Sequence, residues 1–177
     1  MLSVSARLHV HVHVLSLSPA ISLCACVQAD RFHQACDAIV NTVVLIRVKE
    51  SNFIFGGFTG DAAWRSSGFE FGFVRSSNSF VFSLVNAVGG PVRLRCTQPE
   101  YAILCYSSLG PVFGRGGDIG IGGDWTRAGV WLYCNPGSYT ICDPAFAVTP
   151  VTNSLLAGSQ RNWSVGEQEV FALEASG

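Results

Sequence analysis

The stretch VVLIRVKESNFIFGGFT, residues 43–59, decides the fold class of this chain. The β-branched run TVVLIRVKE (42–50) begins one residue earlier, at Thr42, and its side chains alternate enough to predict a half-buried strand. A polar turn follows at 51–52, and NFIFGGFT (52–59) returns as the second strand. The adjacent glycines inside that second strand predict a bulge or a close backbone contact, since glycine adopts such geometry at little cost. The stretch therefore predicts an antiparallel hairpin.

Short strand candidates recur along the rest of the chain and favour a mainly β fold, a sandwich of two antiparallel sheets. One segment, FHQACD (32–37), is typical of a helical turn, and Trp64 is expected to point inward from the loop 61–68. The stretch 135–150 holds three prolines and no period, so it is predicted to be a long loop. The further strand candidates are 79–86, 91–95, 101–106, 112–113, 118–121, 130–134 and the end of 155–173.

Composition limits the classes of protein that this chain can be. Its 177 residues suit one domain, and 49% hydrophobic with 13% charged residues excludes a disordered segment. A formal net charge of -1 gives no electrostatic reason to expect nucleic acid or an anionic membrane as partner. Uninterrupted apolar runs are too short to cross a bilayer, so we expect no membrane insertion.

The cysteines indicate a reducing compartment. There are seven, an odd number, and none has the C-x-x-C spacing of a zinc knuckle or a thioredoxin motif. Reduced, structural thiols in a cytoplasmic protein are favoured over a disulfide framework.

Residues 1–29 differ from everything after them and are expected to lie outside a domain that covers 30–174. The run LHVHVHVLSLS places His9, His11 and His13 on one face of a strand. Three histidines on one face could bind a metal, but the polar face of a strand, or sequence joined to the domain by an inaccurate gene model, is the favoured interpretation. A poor secretory signal is a further interpretation, under which the sequon at 162–164 would become usable.

Three groups of residues are candidates for chemistry, but none makes a complete active site, and we expect no metal or cofactor. GRGGD (114–118) lacks the helix that a phosphate loop needs, which favours turn glycines. His33 and Cys36 share one face of a helix and form a candidate peroxide-reactive pair, with a structural role as the alternative. Glu167 and Glu169 project to one face of the last strand, where they suit acid–base chemistry or contact with a partner.

Several motifs in this order resemble the TLDc domain family of oxidation-resistance-type proteins. They cover roughly residues 31–171, and jointly they are specific where no single one would be. They are FHQACD (32–37), VVLIRVKESNFIFGGFT (43–59), SFVFSLVN (79–86), YAILCYSSLGPVFGRGGDIGI (101–121) and LLAGSQRNWSVGEQEVF (155–171).

The resemblance implies a two-sheet antiparallel β-sandwich flanked by short helices. It also implies a non-enzymatic protein-interaction module linked to oxidative-stress protection, with the peripheral subunits of the vacuolar-type proton pump as a candidate partner. Glu167, Glu169 and Asp118 are the expected partner contacts, and cysteine-based peroxide chemistry at Cys36 with His33 is the alternative function. The matching motif positions expected to be structural are Phe32, Asp37, Gly56, Gly57, Gly110, Phe113, Gly114, Gly158 and Phe171.

The chain departs from the family pattern in three places, one of which is that the last aspartate-rich loops are shortened. CACVQADR (24–31) does not match the usual opening segment, so an uncovered sheet edge is expected if that element is missing. The usual glycine after the Cys-Asp pair is absent, because Ala38 follows Asp37.

Overall fold

The computed structural model describes residues 20–24, 28–66, 72–87, 89–115, 118–122, 132–133, 139–141, 156–158 and 163–173. One α-helix, α1 (Ala29–Cys36), and a 3-10 turn at Pro99–Tyr101 accompany the described strands. The strands are β1 (Ala20–Cys24), β2 (Thr42–Val48), β3 (Ile54–Phe58), β4 (Gly72–Val74), β5 (Phe80–Val85), β6 (Val92–Cys96), β7 (Ile103–Cys105), β8 (Leu109–Phe113), β9 (Ile119–Gly122), β10 (Leu132–Tyr133), β11 (Tyr139–Ile141) and β12 (Val165–Leu173).

The strands form two antiparallel sheets, which confirms the predicted mainly β fold. One sheet has seven strands in the order β1-β12-β2-β3-β5-β6-β11, and the other has five in the order β10-β9-β8-β7-β4. The predicted hairpin is present, since Val43 pairs with Phe58 and Arg47 with Ile54. The last described strand, β12, inserts between β1 and β2, so this segment lies inside the larger sheet.

Alternation along the strands builds the core between the sheets. In β2, every second residue from Thr42 to Val48 is buried, as the period of a strand requires. Val44 and Ile46 thereby face the interior, where Phe113 of the smaller sheet is fully buried. Each such side chain contributes roughly 1.5–3 kcal/mol when it leaves water, so this layer supplies much of the stability.

The two adjacent glycines in β3 allow neighbouring atoms to approach the backbone closely, and no bulge falls between them. A Cβ on Gly57 would lie 2.5 Å from the ring of Phe113, which packs across from the other sheet. A Cβ on Gly56 would lie 1.8 Å from the carbonyl oxygen of Val44 on β2. The irregularity in the pairing of β3 with β5 falls instead between Ile54 and Phe55.

Two predictions about the chain's organisation were wrong. Residues 20–24 belong to the fold as β1, which pairs along β12 from Ala20↔Leu173 to Cys24↔Val170 and covers that edge. The stretch predicted as a long loop contains β11, which pairs with β6. Both strands are short, and their hydrogen-bonding partner lies far away in the sequence, so no local pattern announces them.

Candidate functional site

Helix α1 positions the residues that the sequence singled out for chemistry. Phe32, His33 and Cys36 are buried on one face of the helix, as a helical period predicts. Asp30 lies in the first turn, where its negative charge interacts favourably with the positive end of the helix dipole. The helix ends at Cys36 and is capped by Asp37, whose backbone N–H donates to the carbonyl of His33.

The imidazole of His33 bridges the end of α1 and the β7–β8 turn. Its Nδ1 lies 2.7 Å from Oδ1 of Asp37, and its Nε2 lies 3.0 Å and 2.9 Å from the carbonyl oxygens of Tyr106 and Leu109. A carbonyl oxygen only accepts hydrogen bonds, so Nε2 must carry a proton. On the other side of the ring, Nδ1 contacts the Asp37 carboxylate, so the imidazole is held from both sides and forms an ion pair with Asp37 when it is protonated.

The other oxygen of Asp37 is used by a residue that the sequence did not reveal. Its Oδ2 accepts a hydrogen bond from the backbone N–H of Ser66 at 2.7 Å and from the Ser66 hydroxyl at 2.5 Å. The Asp37 segment also bridges to Trp64, whose carbonyl accepts from the N–H of Ala38. His33, Asp37 and Ser66 therefore form one network that ties the helix to the following loop and to the smaller sheet.

Cys36 is a poor nucleophile in this setting. Its side chain is fully buried, and burial, followed by the negative charge of Asp37, raises the pKa of the thiol from 9.0 to about 12. The thiolate is the reactive form, so the thiol is unreactive at neutral pH. Both ring nitrogens of His33 face other groups, so the predicted His33–Cys36 pair is not brought together as a base and a nucleophile. Burial also raises the pKa of Cys105.

Asp118, predicted to contact a partner, is fully buried, so that prediction is wrong. Its carboxylate fills the space beside Gly114, where an added Cβ would lie 1.4 Å from Oδ2. Gly114 has φ +81, a backbone conformation that glycine adopts at least cost. β9 begins right after this turn, so no helix follows to make a phosphate loop. Of the candidate turn glycines, 116 and 117 lie outside the described residues.

Glu167 and Glu169 lie on the outward face of β12, as predicted from their spacing. Glu167 is 50% exposed and forms an ion pair with Arg47 on β2. Glu169 is half-buried and stands opposite Leu45 in the register. The intervening Gln168 is buried on the inner face.

The remaining motif residues occupy structural positions. Phe32 and Phe113 are buried, and each contacts Trp64 edge-on, with ring centroids 5.2 Å and 5.5 Å away. This confirms that Trp64 points inward. Gly158 has φ +82, and a Cβ there would lie 3.4 Å from Phe53. Phe171 is half-buried in β12.

The histidines of the N-terminal segment and part of the sequon fall outside the described residues; they are His9, His11, His13 and Asn162. Within the described residues, no group of three or more His, Cys, Asp or Glu side chains is arranged to hold a metal ion. The helix in the described part of the chain is too short to cross a bilayer.

Comparison with known protein families matches residues 27–174 to the TLDc domain. The chain belongs to the TLDc domain family. The matched range includes α1 and the His33 network of this TLDc domain, whereas β1 precedes it. A search of curated proteins found no match.

Proposed function

We propose that this TLDc domain is a non-enzymatic protein-interaction module of the oxidation-resistance type. It acts in the cytoplasm in protection against oxidative stress, through binding to peripheral subunits of the vacuolar-type proton pump. The proposal rests on one observation, that two groups of polar residues lie in different parts of the domain. Those suited to chemistry are engaged inside the fold, while Glu167 and Glu169 stand on an outward sheet face.

The interior group supports a structural rather than a catalytic role. His33 donates to two backbone carbonyls and faces Asp37, which in turn accepts from Ser66. A general base needs a ring nitrogen that faces the substrate, and both ring nitrogens of His33 face protein groups instead. The burial of Cys36 and the raised pKa of its thiol argue against the alternative of peroxide chemistry.

The outward group supports contact with a protein that presents basic residues. Glu167 is half-exposed and shares its charge with Arg47, while the ion pairs in the described residues leave Glu169 without a basic partner. Charges at the rim of an interface chiefly set specificity and association rate. Losing both carboxylates should therefore weaken binding without unfolding the domain.

A pull-down of the pump's peripheral sector with the whole chain tests the proposal. The whole chain is used because β1 pairs with the strand that carries both glutamates. Glu167→Ala/Glu169→Ala is expected to reduce capture about tenfold, in the range of a few rim charge pairs. The matched control is Asp30→Ala/Glu100→Ala, which removes two exposed carboxylates elsewhere and should leave capture unchanged. Absence of capture by the folded wild-type chain would rule out the pump as partner.

A further inference from the structure

The outward face of the seven-stranded sheet carries a row of residues that runs from an acid to a base. The register joins Glu169 of β12 to Leu45 of β2, then to Gly56 of β3 and Phe82 of β5. Phe82 in turn pairs with Arg93 of β6. The row thus has a carboxylate at one end, a guanidinium at the other and apolar groups between them.

The two charges at the ends of this row are not neutralised by an ion pair in the described part of the chain. The ion pairs found there join His33 to Asp37 and Arg47 to Glu167. Arg93 is exposed and lies over the ring of Phe80, with its guanidinium carbon 3.8 Å from the ring centroid. That stacking fixes the guanidinium at the edge of the apolar region while leaving its donors available.

The middle of the face is aromatic and half-buried. The rings of Phe58 and Phe80 lie 5.1 Å apart, and those of Phe80 and Phe82 lie 6.1 Å apart. The ring of Phe82 lies over Gly56, where an added Cβ would be 2.9 Å from its Cζ. The main contacts of helix α1 are with β8 and β1 rather than with these central strands.

We infer that a second copy of this chain docks on this face, related to the first by a two-fold axis that runs close to the direction of β3. Gly56 is the midpoint of the row, with two strands on either side. Rotation about an axis through this midpoint places Glu169 of one copy opposite Arg93 of the other. It also places Leu45 opposite Phe82, and Gly56 opposite Gly56. A two-fold interface must be complementary to itself, and this row meets that requirement in charge and in polarity.

The size of the row sets the strength of the association. The row presents one residue from each of five strands, far fewer than the roughly 20–30 residues per side of a standard interface. The association is therefore weak and reversible, with dimer forming at roughly 10–100 µM chain. The inference does not depend on the proposed function. It uses Glu169 as well, so self-association and a partner that binds Glu169 would compete.

Sedimentation equilibrium of the whole chain, at about 5 to 500 µM in low salt, tests the inference by mass. The 18.9 kDa chain is expected to approach twice its mass as concentration rises, and to dissociate in high salt as the Glu169–Arg93 pairs are screened. Glu169→Arg leaves a base at both ends of the row, and Arg93→Glu leaves an acid at both ends. Each variant alone should need at least tenfold more chain to dimerise.

Mixing the two variants in equal amounts distinguishes this geometry from simple damage to the fold. In a mixed pair every base again faces an acid, so dimerisation should return to within about twofold of the wild type. Arg31→Glu, which reverses an exposed charge on α1, is the matched control and should change nothing. The inference is overturned if the wild type stays monomeric throughout. It is equally overturned if single reversals leave dimerisation intact, or if the mixture fails to restore it.

Discussion

The Nδ1 of His33 lies 2.7 Å from Oδ1 of Asp37, and this contact closes the C-terminal end of helix α1. The two residues are one helical turn apart, so the local sequence alone brings them together. The rest of the fold supplies each of the two side chains with further hydrogen-bonding partners. Carbonyls of the smaller sheet's β7–β8 turn face His33, and Ser66 faces Asp37.

Replacing His33 by alanine should lower the free energy of unfolding by about 2–4 kcal/mol. The change leaves the carboxylate of Asp37 without its ion-pair partner and two carbonyls without a donor. Urea unfolding followed by tryptophan fluorescence measures the loss. Gln34→Ala, at an exposed neighbour on the same helix, is the control and should stay within about 0.5 kcal/mol of wild type. Equal effects of the two changes would contradict the network.

Ala38→Gly should stabilise the domain by about 1 kcal/mol. Ala38 has φ +65, in the left-handed region that strains residues with a Cβ, at the position where the family pattern has glycine. The same substitution at Ala35, inside α1, is the matched control and should destabilise by about 1 kcal/mol or more. Thermal melts show whether each substitution raises or lowers the stability of the domain. A loss of stability at both sites would contradict the statement that the backbone at Ala38 is strained.

Gly57→Ala should cost about 2 kcal/mol or more, because the new methyl group would meet the ring of Phe113. Gly89→Ala separates this steric effect from backbone strain. Gly89 has φ +75 but nothing within 4 Å of the added Cβ, so about 1 kcal/mol is expected there. Phe113→Leu in the Gly57→Ala background should recover part of the loss. Chemical denaturation of the single and double variants gives the coupling, and simple additivity would refute the clash.

Cys36 should resist both alkylation and mild peroxide at pH 8 while the domain is folded. Its pKa is raised from 9.0 to about 12, so at pH 8 almost all of the thiol is protonated. Mass spectrometry of each cysteine peptide should find the half-exposed Cys96 labelled at least tenfold faster. Labelling in urea, where all thiols are exposed, controls for intrinsic reactivity. Selective sulfenic acid at Cys36 would instead revive the peroxide function.

The same pKa shift makes the contribution of Cys36 to stability depend on pH. The folded pKa lies above that of the unfolded thiol, so the contribution is complete below pH 9. It is lost progressively as pH rises from about 9 towards 12, because only the unfolded chain then releases the proton. Cys36→Ala should therefore lose less stability between pH 8 and pH 10.5 than the wild type does. The free energy of unfolding of both proteins is measured by urea unfolding at each pH. If it falls equally with pH in both, the raised pKa of Cys36 is contradicted.

Local periodicity predicted much of the fold, and the reasons for its failures are physical. The hairpin 42–59 has β-branched alternation of its own, and β5, β6 and β12 share that property. By contrast, β4 and β11 have three residues each, too few to show a period, and β1 lies in the segment that differs from the rest of the sequence; a neighbouring strand supplies the hydrogen bonds of all three.

The candidate site was predictable to a similar extent. A helical period places His33 and Cys36 on one face, and the spacing of Glu167 and Glu169 places both on the outward face of β12. Ser66 lacks such a signal, because it lies 29 residues from Asp37 and is joined to it only by the tertiary fold. Asp118 was misjudged because a charged residue in a glycine-rich turn is normally exposed, whereas here the turn itself encloses the carboxylate.

The pairing of β1 with β12 brings together two strands from opposite ends of the described chain. At roughly 5–20 residues per second, a ribosome that has made residue 20 needs about 8–30 s to reach residue 173. During that interval β2 also lacks its β12 neighbour, so the edge of a nascent, apolar sheet stays open in the crowded cell. An unfinished chain therefore leaves this edge open to other chains, and the larger sheet can be completed only after β12 has left the exit tunnel.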